Sequence, residues 1–195
     1  MTHNTDGIRS LLDRLKLAGL SFSQGMTPEE LDRAEGSFGF RFPDEIREFL
    51  RMAVPSDPAF FSYRDTSEEN RERLCAFQAS IEQAFLFDLA ENREDLYERL
   101  GGKLGCDMDS GSFDREVIAY LRQSVKLIPI YAHRCFFDGM DGMPIVSFWQ
   151  SVDSVFYGGD FVNYLEVEFL NGQRTFEKLD ERMEQTGIWK YMIDI

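Results

Sequence analysis

The sequence predicts one α+β domain built on a central, mainly antiparallel sheet flanked by helices. Two features carry that prediction. Apolar residues recur at helical spacing as far as Ser124, and from Leu127 onward the pattern changes to short, strand-like runs split by Gly/Asp turns. No internal repeat, low-complexity tract or linker interrupts the 195 residues, a length that suits one domain with a helical appendage. The expected organisation is therefore an N-terminal helix over 1–20 and an α+β domain over 21–195.

Ile8, Leu11, Leu12 and Leu15 define the first amphipathic helix, and Gly19 marks its stop. Thr27, Pro28 and Glu30 form a capping-box signature, in which a hydroxyl and a carboxylate satisfy each other's backbone amides. That helix buries Leu31, Ala34 and Phe38 and ends at Gly39. Pro43 opens the next, with Ile46, Phe49, Leu50 and Ala53 inward, until Pro55 and Pro58 break it. Thr66 and Glu69 predict a second capping box, leading a helix through Leu74, Phe77 and Ile81. The run Ala84 to Leu89 is ambiguous between helix end and strand. Leu96, Tyr97 and Leu100 point inward from a polar stretch, residues 101–111 read as loop, and a further helix follows from Phe113 to Ser124.

In the second half, Leu127 to Ala132 reads as a strand, with Pro129 indicating an edge position. Residues 134–149 read as strand, Gly/Asp turn and strand, and VFYGG supplies another strand. Residues 160–172 fit either a hairpin at Asn171-Gly172 or a helix capped by Asp160 and ended by a left-handed Asn171-Gly172; the helix is favoured. Phe176, Leu179 and Met183 return to helical spacing.

Eighteen Phe, seven Tyr and two Trp provide ample core-forming surface. No uncharged apolar run approaches the roughly 20 residues of a membrane span, and the opening MTHNTDGIRS is too polar for a signal peptide. Cys75, Cys106 and Cys135 are scattered, with no CxxC, which argues against a disulfide scaffold and for a cytoplasmic protein. Twenty-one Lys and Arg against thirty-five Asp and Glu give a net charge of −14. Such a field opposes nucleic acid and anionic membranes, both polyanions, and attracts a basic partner. Acidity also serves solubility alone.

Chemical motifs are sparse. The only histidines are His3 and His133, so no His/Cys set has zinc or iron spacing. Cys106, Asp107 and Asp109 lack the remaining ligands of a calcium loop. GxxxxGK[ST], GxGxxG and GxSxG are absent, and the pairs Gly101-Gly102 and Gly158-Gly159 read as turns. His133 and Cys135 would share a face of an extended strand, the one nucleophile–base geometry available, but no third group orients them. No catalytic residue, metal site or cofactor is therefore expected.

Two stretches, read in order, resemble the SUKH superfamily, which contains the yeast Smi/Knr-type cell-wall regulators and many bacterial immunity proteins. The first is TPEELDRAEGSFGFRFPDEIREFL, Thr27 to Leu50. The second is KLIPIYAHRCFFDGMDGMPIVSFWQSVDSVFYGGDFVNYLEVEF, Lys126 to Phe169, and the intervening FLFDLAENREDL (Phe85 to Leu96) is similar to an aspartate-containing strand of one bacterial branch. That branch commonly has Trp just after this strand, whereas this chain has Leu96 and Tyr97 there and no Trp before Trp149. An extra residue also precedes Asp153.

The resemblance implies an α+β fold without catalytic residues, acting as an immunity protein that neutralises a secreted polymorphic toxin, often a nuclease. The alternative it implies is a regulatory or scaffold module for other proteins. The expected partner is a protein, such as a basic toxin domain, and the expected binding residues are His133, Arg134, Trp149, Asp153, Tyr157 and Asp160. Tyr, Trp and Arg dominate interface hot spots. For Trp149 and Tyr157 the competing expectation is core packing.

Overall fold

A computed structural model describes residues 5–177 and 179–194. Helix α1 (Thr5–Leu17) buries Ile8, Leu11, Leu12 and Leu15 at the predicted spacing. Strand β1 (Phe22–Gln24) pairs antiparallel with β2 (Ala53–Pro55) as a small separate sheet. Between them, α2 (Pro28–Phe38) begins at the expected capping box: the Thr27 hydroxyl accepts from the Glu30 amide at 3.2 Å, and the Glu30 carboxylate accepts from the Thr27 amide at 2.8 Å. Gly39, at φ 69°, ends it. Helix α3 (Asp44–Met52) follows Pro43.

Helices α4 (Glu68–Glu91), α5 (Arg93–Leu104) and α6 (Gly111–Gln123) then lead into the main sheet. Its strands are β3 (Leu127–Tyr131), β4 (Arg134–Phe137), β5 (Ile145–Phe148), β6 (Ser154–Gly158) and β7 (Ile193–Asp194). They lie in the order β3-β4-β5-β6-β7, antiparallel throughout except for the parallel pair β6–β7. Helix α7 (Phe161–Phe169) follows β6, while α8 (Leu179–Met183) and α9 (Trp189–Met192) precede β7. The α+β class is as predicted, and Pro129 sits on the edge strand β3, where its missing N–H matters least.

Strand periodicity divides the core in two. Ile128, Ile130, Phe136 and Ile145 face a cluster completed by α1, α2, α3 and α7. Leu127, Cys135, Phe137, Val146, Phe148 and Phe156 face a second cluster with α4, α5, α6 and Trp189. Helix α1 is thus a layer of the first core. Trp189 seals the second core, its ring 5.9 Å from both Phe85 and Phe148 and its indole N–H donating to the Val125 carbonyl at 2.6 Å.

Three local expectations need correction, and two open alternatives are resolved. Helix α4 is capped by Ser67 rather than Thr66: the Asp65 carboxylate accepts from the Ser67 amide, and the Ser67 hydroxyl accepts from the Asn70 amide at 3.3 Å. This Asp65 turn starts the helix one residue later. The ambiguous run Ala84–Leu89 is helical, because Phe85 and Leu89, one turn apart, both enter the second core. The segment Phe85 to Leu96 is therefore helix end and helix start, not the strand its resemblance suggested. Gly101-Gly102 lies inside α5 rather than in a turn; a Cβ at Gly101 would sit 2.7 Å from the Tyr97 ring, so glycine is what lets that ring fold back. The loop shrinks to residues 105–110. For residues 160–172, the helix prevails over the hairpin: Asp160 accepts from the Asn163 amide at 2.7 Å, and Asn171 takes φ 54°.

Candidate functional site

One face of the sheet is apolar at β3 and turns polar toward β6. Cross-strand register aligns Tyr131, Arg134, Ser147 and Val155 in a row on β3, β4, β5 and β6. Arg134 lies two residues from Phe136 and so shares its face, placing a cation where the first core would otherwise continue. Gly158 makes room above it. A Cβ there would meet the Tyr164 backbone at 2.5 Å, so only glycine lets α7 lie this close to the sheet and bring Glu168 over Arg134.

Arg134 is buried, 9% exposed, and its guanidinium is engaged on several sides. Its Nε donates to the Glu168 carboxylate at 3.2 Å, and one terminal nitrogen donates to the Ser147 hydroxyl at 2.9 Å. The same nitrogen donates to Nε2 of His133, and the guanidinium carbon lies 3.6 Å from the centre of the Tyr157 ring. Charge pairing, hydrogen bonds and the ring's negative face together offset desolvation of the cation. Arg174 reaches the same ring at 4.5 Å, is exposed, and makes no ion pair among the described residues. Beneath them, Tyr164 is fully buried, and its hydroxyl has no hydrogen-bond partner among the described residues. Burial, reinforced by the Glu168 charge, raises its phenol pKa far above the ordinary range.

His133 sits in the turn between β3 and β4, after Ala132 at φ 49°. Partial burial and then the Arg134 charge lower its pKa below the usual value near 6.5, so it is a neutral ring at pH 7 accepting at Nε2. Against its edge stands Trp149, 5.7 Å between centroids and 69% exposed. The ring is presented by an anchored loop: the Phe148 amide donates to the His133 carbonyl at 2.9 Å. Beyond it, the buried Asp88 carboxylate of α4 accepts from the Ser151 hydroxyl and from the Val152 amide at 3.2 Å.

Of the six residues expected to bind a partner, His133, Arg134, Trp149 and Tyr157 therefore form one contiguous group. Trp149 is exposed, and Tyr157 is half-buried against the first core. Asp153 is exposed in the loop before β6, and Asp160 is the N-cap of α7, which orients Glu168. Sequence reasoning missed Ser147, Tyr164, Glu168 and Arg174. Tyr164 and Glu168 stand one helical turn apart, and Ser147 is the lone polar residue in the run Ile145–Phe148, but their pairing with Arg134 is long-range.

The nucleophile–base geometry does not form. Cys135 points into the second core, its Sγ nearest the His133 carbonyl at 3.7 Å, while the imidazole faces Arg134 and Trp149. Burial raises the Cys135 pKa well above the ordinary thiol range, which removes the reactive thiolate. His3 lies outside the described residues. Among the described residues, no group of three or more His, Cys, Asp or Glu could hold a metal ion, and no helix is long and apolar enough to cross a membrane. A cavity of about 270 Å³ opens elsewhere, between Ile46, Phe49, Phe60, Phe61 and Phe161, and neither His133 nor Arg134 lines it. No protein-family model, curated protein or solved structure matches the chain.

Proposed function

We propose that this chain is a non-catalytic protein-binding domain, a bacterial immunity protein of the cytoplasm that captures and neutralises a polymorphic toxin. The observation that carries this reading is Trp149: a large ring 69% exposed, held edge-on to His133 beside the locked Arg134–Tyr157–Glu168 group. An aromatic anchor on a rigid polar bed loses little side-chain entropy on binding, as in interface hot spots. The net charge of −14 suits a basic toxin domain, because complementary fields accelerate encounter and can occupy a polyanion-binding cleft. The SUKH-like order of the segments 27–50 and 126–169 supports the same role.

The test is co-expression with the toxin encoded in the adjacent reading frame. The reading requires rescue of growth and a complex that survives size exclusion, and both should weaken with Trp149→Ala. A lethal toxin and no complex would refute it. A housekeeping partner bound through the same surface would instead make the chain a regulatory scaffold, ending the immunity reading.

A further inference from the structure

We infer that the cavity in the first core binds a small carboxylate with an apolar body, a short aryl- or alkyl-substituted acid whose charged head is taken by Arg73. Ile46, Phe49, Phe60, Ile130 and Phe161, all buried residues of that core, enclose a space of about 270 Å³. Packed interiors hold few voids larger than a water molecule. An apolar void stays dry and admits apolar guests, and about 150 Å³ is enough for benzene. The space here suits a single ring carrying a short chain.

Backbone pairing props that space open from two sides. On one flank, β2 is tied to β1 along its whole length. On the other, the segment after Pro58 is stitched to the edge strand β3. Phe60 bridges Tyr131, the Phe61 amide donates to the Ile130 carbonyl at 3.0 Å, and the Ala132 amide donates to the Ala59 carbonyl at 2.9 Å. The Tyr63 hydroxyl adds a further stitch by donating to the Pro129 carbonyl. Collapse of either wall into the void would break these bonds, so the cavity is preformed, as ligand sites usually are.

The charge at its rim selects the occupant. Arg73 of α4 lines the cavity and is exposed, its guanidinium carbon 5.6 Å from the centre of the Phe61 ring. One terminal nitrogen donates to the Asn70 Oδ1 at 3.2 Å. Asn70 is buried, and its own amide donates to the Ser62 and Asp65 carbonyls at 2.7 Å each, which ties Arg73 to the Ser62 side of the cavity. In a chain of net charge −14, this cation has no ion pair among the described residues. The carboxylates around it are turned to backbone amides: Asp65 accepts from Ser67 at 3.0 Å, and Asp57, which also lines the cavity, accepts from Ala59 at 2.8 Å. The remaining guanidinium N–H groups match the paired oxygens of a carboxylate, a fit that neither an amine nor an alcohol offers. Trp149, His133 and Arg134 do not line this cavity, so the inference stands independently of the immunity reading.

Titration of phenylpropanoate into the isotope-labelled full chain, followed by NMR, tests it. Saturable shifts are expected at backbone signals of residues 54–63 and of Ile130, with a millimolar or tighter Kd. Arg73→Gln, at an exposed position, should weaken binding at least tenfold, and so should exchanging the acid for phenylpropanol or phenylpropylamine. Val54→Phe, on the half-buried β2 wall, places a ring in the void and should block the acid as strongly. Trp149→Ala should leave phenylpropanoate binding unchanged. No saturable binding at millimolar concentrations, or shifts centred away from the cavity, would overturn the inference. So would an alcohol or amine bound as tightly as the acid, or an affinity indifferent to Arg73→Gln or Val54→Phe.

Discussion

The Arg134–Glu168 pair is the joint on which the candidate site is built, and a double-mutant cycle measures it. Replacing Glu168 with Leu leaves a 9%-exposed guanidinium without its counter-charge. Breaking a buried pair in this way costs about 3–5 kcal/mol. Here Arg134 keeps Ser147 and the Tyr157 ring, and the Glu168 side chain is 19% exposed, which reduces the expected loss to about 2 kcal/mol. Arg134→Met strands the carboxylate and should cost a similar amount. The double variant has no stranded charge and forfeits only the stacking and the bonds to Ser147 and His133, a loss of about 1 kcal/mol. The coupling is then roughly 3 kcal/mol. Urea unfolding reads it directly: each single variant should lower the midpoint by about 1 M at constant slope, and the double variant by about half of that. Additivity of the two singles within about 0.5 kcal/mol would show that the pair is not coupled and that the site is not preorganised as described.

The other expectations address the surroundings of that joint. His133 should titrate below 6.5 by NMR, and Arg134→Met should move it back up. Because its folded pKa is depressed, the unfolded chain takes up the proton first; the stability contribution is flat above pH 6.5 and falls as pH drops toward the folded value. A value at or above 6.5 in the native protein would contradict the neutral ring. Asp88→Ala removes the acceptor for the Ser151 hydroxyl, the Val152 amide and the Asn92 side chain, and should cost about 2–4 kcal/mol in thermal or urea unfolding. Tyr164→Phe deletes a buried hydroxyl with no partner among the described residues, so stability should be unchanged or rise by about 1 kcal/mol; a clear loss would reveal an acceptor.

What the sequence made legible was local. The capping box at Thr27, the left-handed Gly39, Pro129 on an edge and Asp160 at a helix start all rest on residues within a few positions of one another. Errors fell where tertiary burial decided. Nothing near Ala84–Leu89 says that Phe85 and Leu89 meet the sheet, and nothing near Gly101 announces the Tyr97 ring. The site divides the same way. His133 and Arg134 drew notice as the polar break in an apolar region, yet Glu168 and Arg174 reach that region only through α7 and the loop after it. Trp149 and Tyr157 were open between core and surface, and the structure separates them by strand register: Tyr157 lies over the first core, while Trp149 projects beyond the end of β5.

Calorimetric titration of the proposed partner, a toxin domain encoded beside this chain, into the wild-type protein and into Trp149→Ala tests the proposed docking most directly. Trp149 is already solvent-exposed, so its removal leaves the fold intact, and the account predicts that affinity falls at least tenfold with it, or about 1.4 kcal/mol or more. Equal affinities for the two proteins, or no binding to either, would contradict it.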